Sequence, residues 1–266
     1  MDNFIIISLI LINFLVFYFY KRKKIKTFFL NLFFKSTIKS VELYEVDKIF
    51  APNENTPKFK FPKEEVIVKN FFIDKSFKIA GQTTDYEAWI LSCFAKLSKN
   101  IFEFGTCSGK TTTLFALNSP SDAKVFTITL KPDDVNNLFY NTSDTKVAVR
   151  NAINESIYNN FIFENMSIRN KINLIFQDST KFDESKLINL IDLVFIDGGH
   201  NYSCVKSDSE KAFRMIKKNG IIFWHDYVEI KKSCKDVVRY INEISKYKKI
   251  FKIKNTSLCY FKNSEN

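Results

Sequence analysis

Residues 101–112 read IFEFGTCSGKTT: a short apolar run broken by one carboxylate, two glycines enclosing three small residues, then a helix-compatible stretch. Ile101–Gly105 is expected to be a strand ending on glycine, and Lys110–Leu117 a helix. Glycine is scarce, 6 of 266 residues, so its placement is informative. Gly105, Gly109, Gly198 and Gly199 stand just after expected strands, where the backbone must turn sharply or approach a ligand.

The same alternation extends in both directions. Lys124–Leu130, Ile172–Gln177, Asp192–Asp197 and Ile221–Asp226 read as strands. Helical spacing marks Tyr86–Leu97, Tyr202–Lys217 and Lys231–Ile244. Phe251–Ile253 and Ser257–Phe261 read as two strands joined by a turn. The expected fold class is α/β, a Rossmann-like doubly wound, mostly parallel sheet closed by a C-terminal antiparallel strand pair. Ligands of such sheets bind beyond the carboxyl ends of the strands, where Gly105, Thr129, Asp178, Asp197 and Asp226 all fall.

Apolar residues at 45% and charged residues at 26% fit a globular domain, and the length leaves room for an N-terminal appendage. The net charge is +11, yet the lysines are spread along the chain without a nucleic-acid motif, so no nucleic-acid partner is expected. The five cysteines, Cys93, Cys107, Cys204, Cys234 and Cys259, form no CxxC pair, which argues against a disulfide framework or zinc site. Phe4–Tyr20 is apolar except for Ser8 and Asn13, and Lys21, Arg22, Lys23, Lys24 and Lys26 follow it. With no basic residues before that run and no cleavage site after it, residues 1–26 are expected to be a single-pass transmembrane anchor with a basic flank. The main domain then lies in the cytoplasm. Residues 27–80 are expected to be a juxtamembrane lead-in and linker, with TFFLNLFF (27–34) either interfacial or packed on the domain, and residues 81–266 the main domain.

Gly105 to Thr111 tempts a phosphate-binding loop, but that loop needs four residues between its glycines and here there are three. The alternative is E-x-G-T-x-x-G, which resembles class I S-adenosylmethionine-dependent methyltransferases. INLIFQDST (172–180), IDLVFIDGGHNYSCVKSD (191–208) and NGIIFWHDY (219–227) extend the likeness. They resemble the catechol O-methyltransferase-like branch with FIDGxHxY and HDY motifs, over about residues 80–262.

That resemblance implies S-adenosylmethionine as cofactor. Glu103 would hold its amino acid end, and Gly105, Thr106, Ser108 and Gly109 would form the loop beneath the methionine portion. Asp178 would meet the adenine amino group with Ser179 beside it, and Asp197 would border the same site. The family carries an acidic residue for the ribose where this chain has Thr129. The catechol-type enzymes place metal ligands at the positions of Asp197 and Asp226, implying a divalent cation such as Mg. Their third ligand, an asparagine, is replaced by Tyr227, and His225 is a further candidate ligand. His200 stands where those enzymes carry a catalytic lysine and is the expected general base, working beside Asp197.

The expected function is O-methylation of a small hydroxylated or sugar-like acceptor, with the stretch Lys131–Asn170 shaping its pocket. A membrane-tethered binding domain without catalysis and a phosphate-loop NTPase are the alternatives. Lys110, Cys107 and Asp208 are assigned plain roles: a solvated helix start, a loop filler, and a helix-surface or capping charge.

Overall fold

The computed structural model describes Tyr18, Lys21 and residues 38–50, 65–69, 83–137, 141–142 and 144–264. Residues 38–266 form one compact unit and residues 1–37 another. The expected anchor Phe4–Tyr20 lies outside the described residues except for Tyr18, as does TFFLNLFF. Among the described residues no helix is long and apolar enough to cross a membrane.

Eight strands make one sheet: β1 (Ser40–Val41), β2 (Asn100–Phe104), β3 (Lys124–Thr129), β4 (Ile172–Phe176), β5 (Ile191–Ile196), β6 (Ile216–Trp224), β7 (Phe251–Ile253) and β8 (Cys259–Lys262). Their order is β1-β7-β8-β6-β5-β2-β3-β4. The run from β6 to β4 is parallel throughout, and β8 lies antiparallel to both β6 and β7. The order reverses between β5 and β2, the kind of switch point at which wound sheets open a crevice.

The helices are α1 (Leu43–Val46), α2 (Asp85–Lys96), α3 (Lys110–Asn118), α4 (Lys146–Glu155), α5 (Tyr202–Met215) and α6 (Lys235–Ile244). Val194, Ile196, Ile222 and Trp224 pack on α5 and α6. Leu193, Phe195, Ile221 and Phe223 pack on α2 and α3. Central strands buried on both faces read as continuous apolar runs rather than alternating ones, which is why IDLVFI stands out in the sequence.

Two boundaries differ from expectation. Ser40–Val41, within the stretch read as lead-in, pairs in parallel with β7 and buries Val41 beside Leu43 and Val46. Two residues are too few for a periodic signal, and their partner is more than two hundred positions away. The helix expected to reach Lys217 stops at Met215, and β6 starts at Ile216. Its exposed opening, Lys217-Lys218-Asn219, carries no apolar signature.

Candidate active site

The carboxyl ends of β2 to β6 surround a cavity of about 320 Å³, lined by Gly105, Thr129, Asp178, Ser179, Asp197, His200, His225 and Asp226 among others. Gly105 has φ +100, and a Cβ there would collide with the carbonyl of Asp197, so only glycine lets the turn after β2 pass beneath the end of β5. Gly109, φ +83, is the N-cap of α3, and a Cβ there would press into the ring of Phe163.

Glu103, Thr106, Ser108 and Gly109 sit behind that wall rather than on it. Glu103 is buried and accepts hydrogen bonds from Thr112 Oγ1 and, at 2.7 Å, from Thr127 Oγ1. The Thr106 and Thr127 hydroxyls are also 2.7 Å apart. Burial pushes the Glu103 carboxyl up to about 8, against the pull of the two threonine hydroxyls and with help from the charge of Asp197. Its place is support of the loop from below.

Asp178 uses Oδ1 to accept from Thr180 N and Oγ1, fixing the turn after β4. Asp208 is not the surface or capping charge expected: it is 1% exposed and lines the cavity. The inward face of α5 carries it there. Among the described residues neither of its carboxyl oxygens has a well-aligned hydrogen-bond partner, and burial pushes it up to about 7 although the nearby Ser179 hydroxyl and the Lys211 charge pull the other way.

At the other end of the cavity two imidazoles interleave with carboxylates. His200 Nε2 is 3.0 Å from Asp226 Oδ2 and 3.9 Å from Glu155 Oε2. His225 Nδ1 is 3.1 Å from Asp197 Oδ1 and 3.6 Å from Asp226 Oδ2, while its Nε2 faces Glu87 Oε2 at 3.6 Å. Burial pulls both histidines down, but the carboxylates outweigh it, raising His200 and raising His225 well above the usual imidazole value. Burial likewise opposes ionisation of Asp226, yet the two imidazoles hold its carboxyl far below the usual range. Glu87 is drawn down to about 2 against its own burial, by His225 and the backbone N–H groups of Thr84 and Ser257.

Asp226 adopts φ +61, a left-handed conformation uncommon for a side-chain-bearing residue. That turn lets both His225 and Asp226 reach the cavity and sends Tyr227 into the core, where its hydroxyl donates to Asn242 Oδ1 at 2.7 Å. The residue at the expected third-ligand position is therefore a core residue. His225 takes the place beside Asp197 and Asp226, and one ligand atom from each of the three lies within 4.8 Å of the others. Two carboxylate oxygens and an imidazole nitrogen suit a divalent cation. Among the described residues neither buried ring nitrogen of His225 has an aligned hydrogen-bond partner, and Nδ1 is the one that faces Asp197 and Asp226.

Three cavity or cluster residues went unread in the sequence. Glu87 closes a capping box with Thr84, a signature visible as Thr-Asp-Tyr-Glu before an apolar run. Glu155 ends α4 and Lys231 stands 3.5 Å from Asp226 Oδ1; neither has a local signal.

Residues 102–227 match the family model of a methyltransferase domain. This span runs from the β2 strand through the glycine loop to the turn after β6, and so contains most of the cavity wall. Over that span the chain is similar to methyltransferase domains. No curated sequence matches at a significant level. Among solved structures, the domain is similar to an O-methyltransferase of Bacillus cereus in complex with SAH, at 14% identity, covering 69% of this chain and 83% of that one with a TM-score of 0.46. It is also similar to the O-methyltransferase TomG of Streptomyces achromogenes in complex with SAM, at 12% identity, covering 70% and 82% with a TM-score of 0.45.

Proposed function

We propose that the methyltransferase domain binds S-adenosylmethionine and methylates a hydroxyl group of a small polar acceptor. The observation that carries this reading is the cavity itself: Gly105 of the glycine loop, Asp178 and Asp197 line one cavity with a His200–Asp226 pair. Gly105 gives the cofactor's methionine end close approach to the backbone, and Thr129 offers a hydroxyl to the ribose. Asp178 and Ser179 border the adenine end.

A sulfonium methyl needs little activation, so the protein's task is to align the acceptor and take its proton. His200 Nε2–H stays donated to Asp226 Oδ2, which orients the ring and stabilises the imidazolium, so the ring atom that takes the proton is Nδ1. Asp197, His225 and Asp226 would hold a divalent cation such as Mg, which when bound lowers the acceptor hydroxyl's pKa. Glu87 fixes the ring of His225 from behind, as outer carboxylates do for metal-bound imidazoles. The remaining wall, Asn151, Asn154, Ser156 and Tyr158, comes from α4 and the turn after it. Those amides and hydroxyls support a hydroxylated or sugar-like acceptor.

The phosphate-loop reading loses its lysine, because Lys110 Nζ donates to the Thr83 carbonyl at 2.8 Å. A binding domain without catalysis is favoured by Thr129 and Tyr227, which stand where an acidic residue and an amide would be expected. The apolar run Phe4–Tyr20 and its basic flank support tethering to a membrane from the cytoplasmic side. Profiling metabolites of cells with and without the protein tests the activity: a product heavier by one methyl group is expected. Cofactor binding with no methylated product in any extract would favour the inactive domain instead.

A further inference from the structure

The two rims of the sheet differ in charge. Beyond the carboxyl ends, Asp178, Asp197 and Asp226 follow β4, β5 and β6. At the amino ends, Lys99 precedes β2, Lys124 opens β3, Lys217 and Lys218 open β6, Lys249 precedes β7, and the antiparallel β8 ends on Lys262. Asp122 pairs with Lys99 at 2.6 Å, Asp47 with Lys262 at 3.3 Å, and Asp192 with Lys217.

This rim also holds a groove of about 580 Å³ with Lys217, Lys218, Lys248 and Asn263 on its walls and Phe213 and Phe261 among its lining. Lys248 lies over both rings, 5.5 Å and 5.7 Å from their centres. Apolar side chains stand out beside the lysines. Leu97 before β2 is 61% exposed, Leu190 before β5 51%, and Tyr247 before β7 71%. Lysines interspersed with protruding leucine and tyrosine suit a surface that is anionic above and hydrocarbon below.

The chain enters the domain at this same rim. Ser40 opens β1 and pairs with Lys252 near the start of the parallel β7. The residues before it include the apolar run Phe4–Tyr20 and the cluster Lys21–Lys26.

We propose that the amino-end rim of the sheet docks on an anionic lipid bilayer, so that the cavity opens away from the membrane and takes a water-soluble acceptor. The cavity's contents rest on the methyltransferase reading, but the docking does not. Five-residue strands span roughly 17 Å, which separates the lysines from the cavity and holds its mouth clear of the headgroups. A lipid headgroup of the same leaflet is thereby excluded as acceptor.

The test uses the full-length protein with vesicles of phosphatidylcholine alone or mixed with phosphatidylglycerol. Acetylation of exposed lysines is followed by mass spectrometry. Lys124, Lys218 and Lys249 should be labelled several-fold more slowly on the anionic vesicles, while Lys131 and Lys235, near the cavity side, keep their rates. Equal rates on both vesicles, or slowing at Lys131 and Lys235 instead, overturns the proposal. The variant Lys124→Gln/Lys218→Gln/Lys249→Gln, shown folded by its melting transition, should lose the anionic preference by about a hundredfold, at about fivefold per lysine. An unchanged preference overturns the proposal, as does stronger retention by a DNA duplex than by anionic vesicles. Failure to float with neutral vesicles would refute the N-terminal anchor alone, and loss of cofactor binding the methyltransferase reading alone.

Discussion

His200 Nε2 and Asp226 Oδ2 stand 3.0 Å apart, the first carried by the turn after β5 and the second by the turn after β6. Parallel strands place these turns side by side, so residues far apart in sequence form one acid–imidazole pair. Asp226 holds the ring through Nε2, which leaves Nδ1 as the nitrogen that can accept a proton.

His200→Ala should therefore lower kcat for methyl transfer by about 10²- to 10⁴-fold, the usual worth of a positioned base. Cofactor affinity should stay within a few-fold. Parallel turnover and titration measurements check this; unchanged turnover with intact binding would remove His200 from the mechanism.

Asp226 carries strain as well as chemistry, since its φ of +61 suits glycine better than any residue with a Cβ. Both Asp226→Ala and Asp226→Gly should lose activity, but the glycine variant should be the more stable by about 1 kcal/mol. Urea denaturation of the pair decides it. An alanine variant as stable as the glycine one would mean the turn is not strained.

Glu103 makes stability depend on pH. Its folded-state pKa is raised from 4.5 to about 8 by burial. The folded state therefore holds the proton more tightly than the unfolded chain. This contribution is fully present below 4.5 and is lost as pH rises towards about 8. It amounts to a few kcal/mol at most, on the order of 1.4 kcal/mol per pKa unit. Glu103→Gln should flatten the fall in Tm across that interval, and a variant with the wild-type slope would show that Glu103 ionises freely.

Divalent cation binding is open to titration. Mg added to the full chain should give a saturable heat that disappears in Asp197→Asn and His225→Ala. Turnover should drop on chelation and return with the cation. Wild-type heats in both variants would place the cation elsewhere.

How much of this was legible in the sequence depended on whether the cause was local. The strand Ile191–Ile196 is buried on both faces, so its apolar run announces itself, and the glycine loop shows because glycine is scarce elsewhere. Five strand ends consequently fell on one rim as expected. Edge strand β1 was invisible because pairing with β7, not periodicity, makes it a strand. Tyr227 occupies the expected third-ligand position by adjacency, but the left-handed turn at Asp226 redirects it to the core. Asp208 read as a surface charge because helix spacing does not forbid a carboxylate on the inner face. Glu155 depends on α4 folding over the cavity, which no short-range pattern encodes.

Everything in the catalytic account requires the glycine loop and the Asp178 turn to cradle an adenosyl sulfonium. Isothermal titration of the full-length protein with S-adenosylmethionine tests this most directly, with Gly105→Val as the control that blocks the loop. The account predicts saturable binding of one cofactor per chain, lost in the variant. No detectable heat at millimolar cofactor, or equal binding by the Gly105→Val protein, would contradict it.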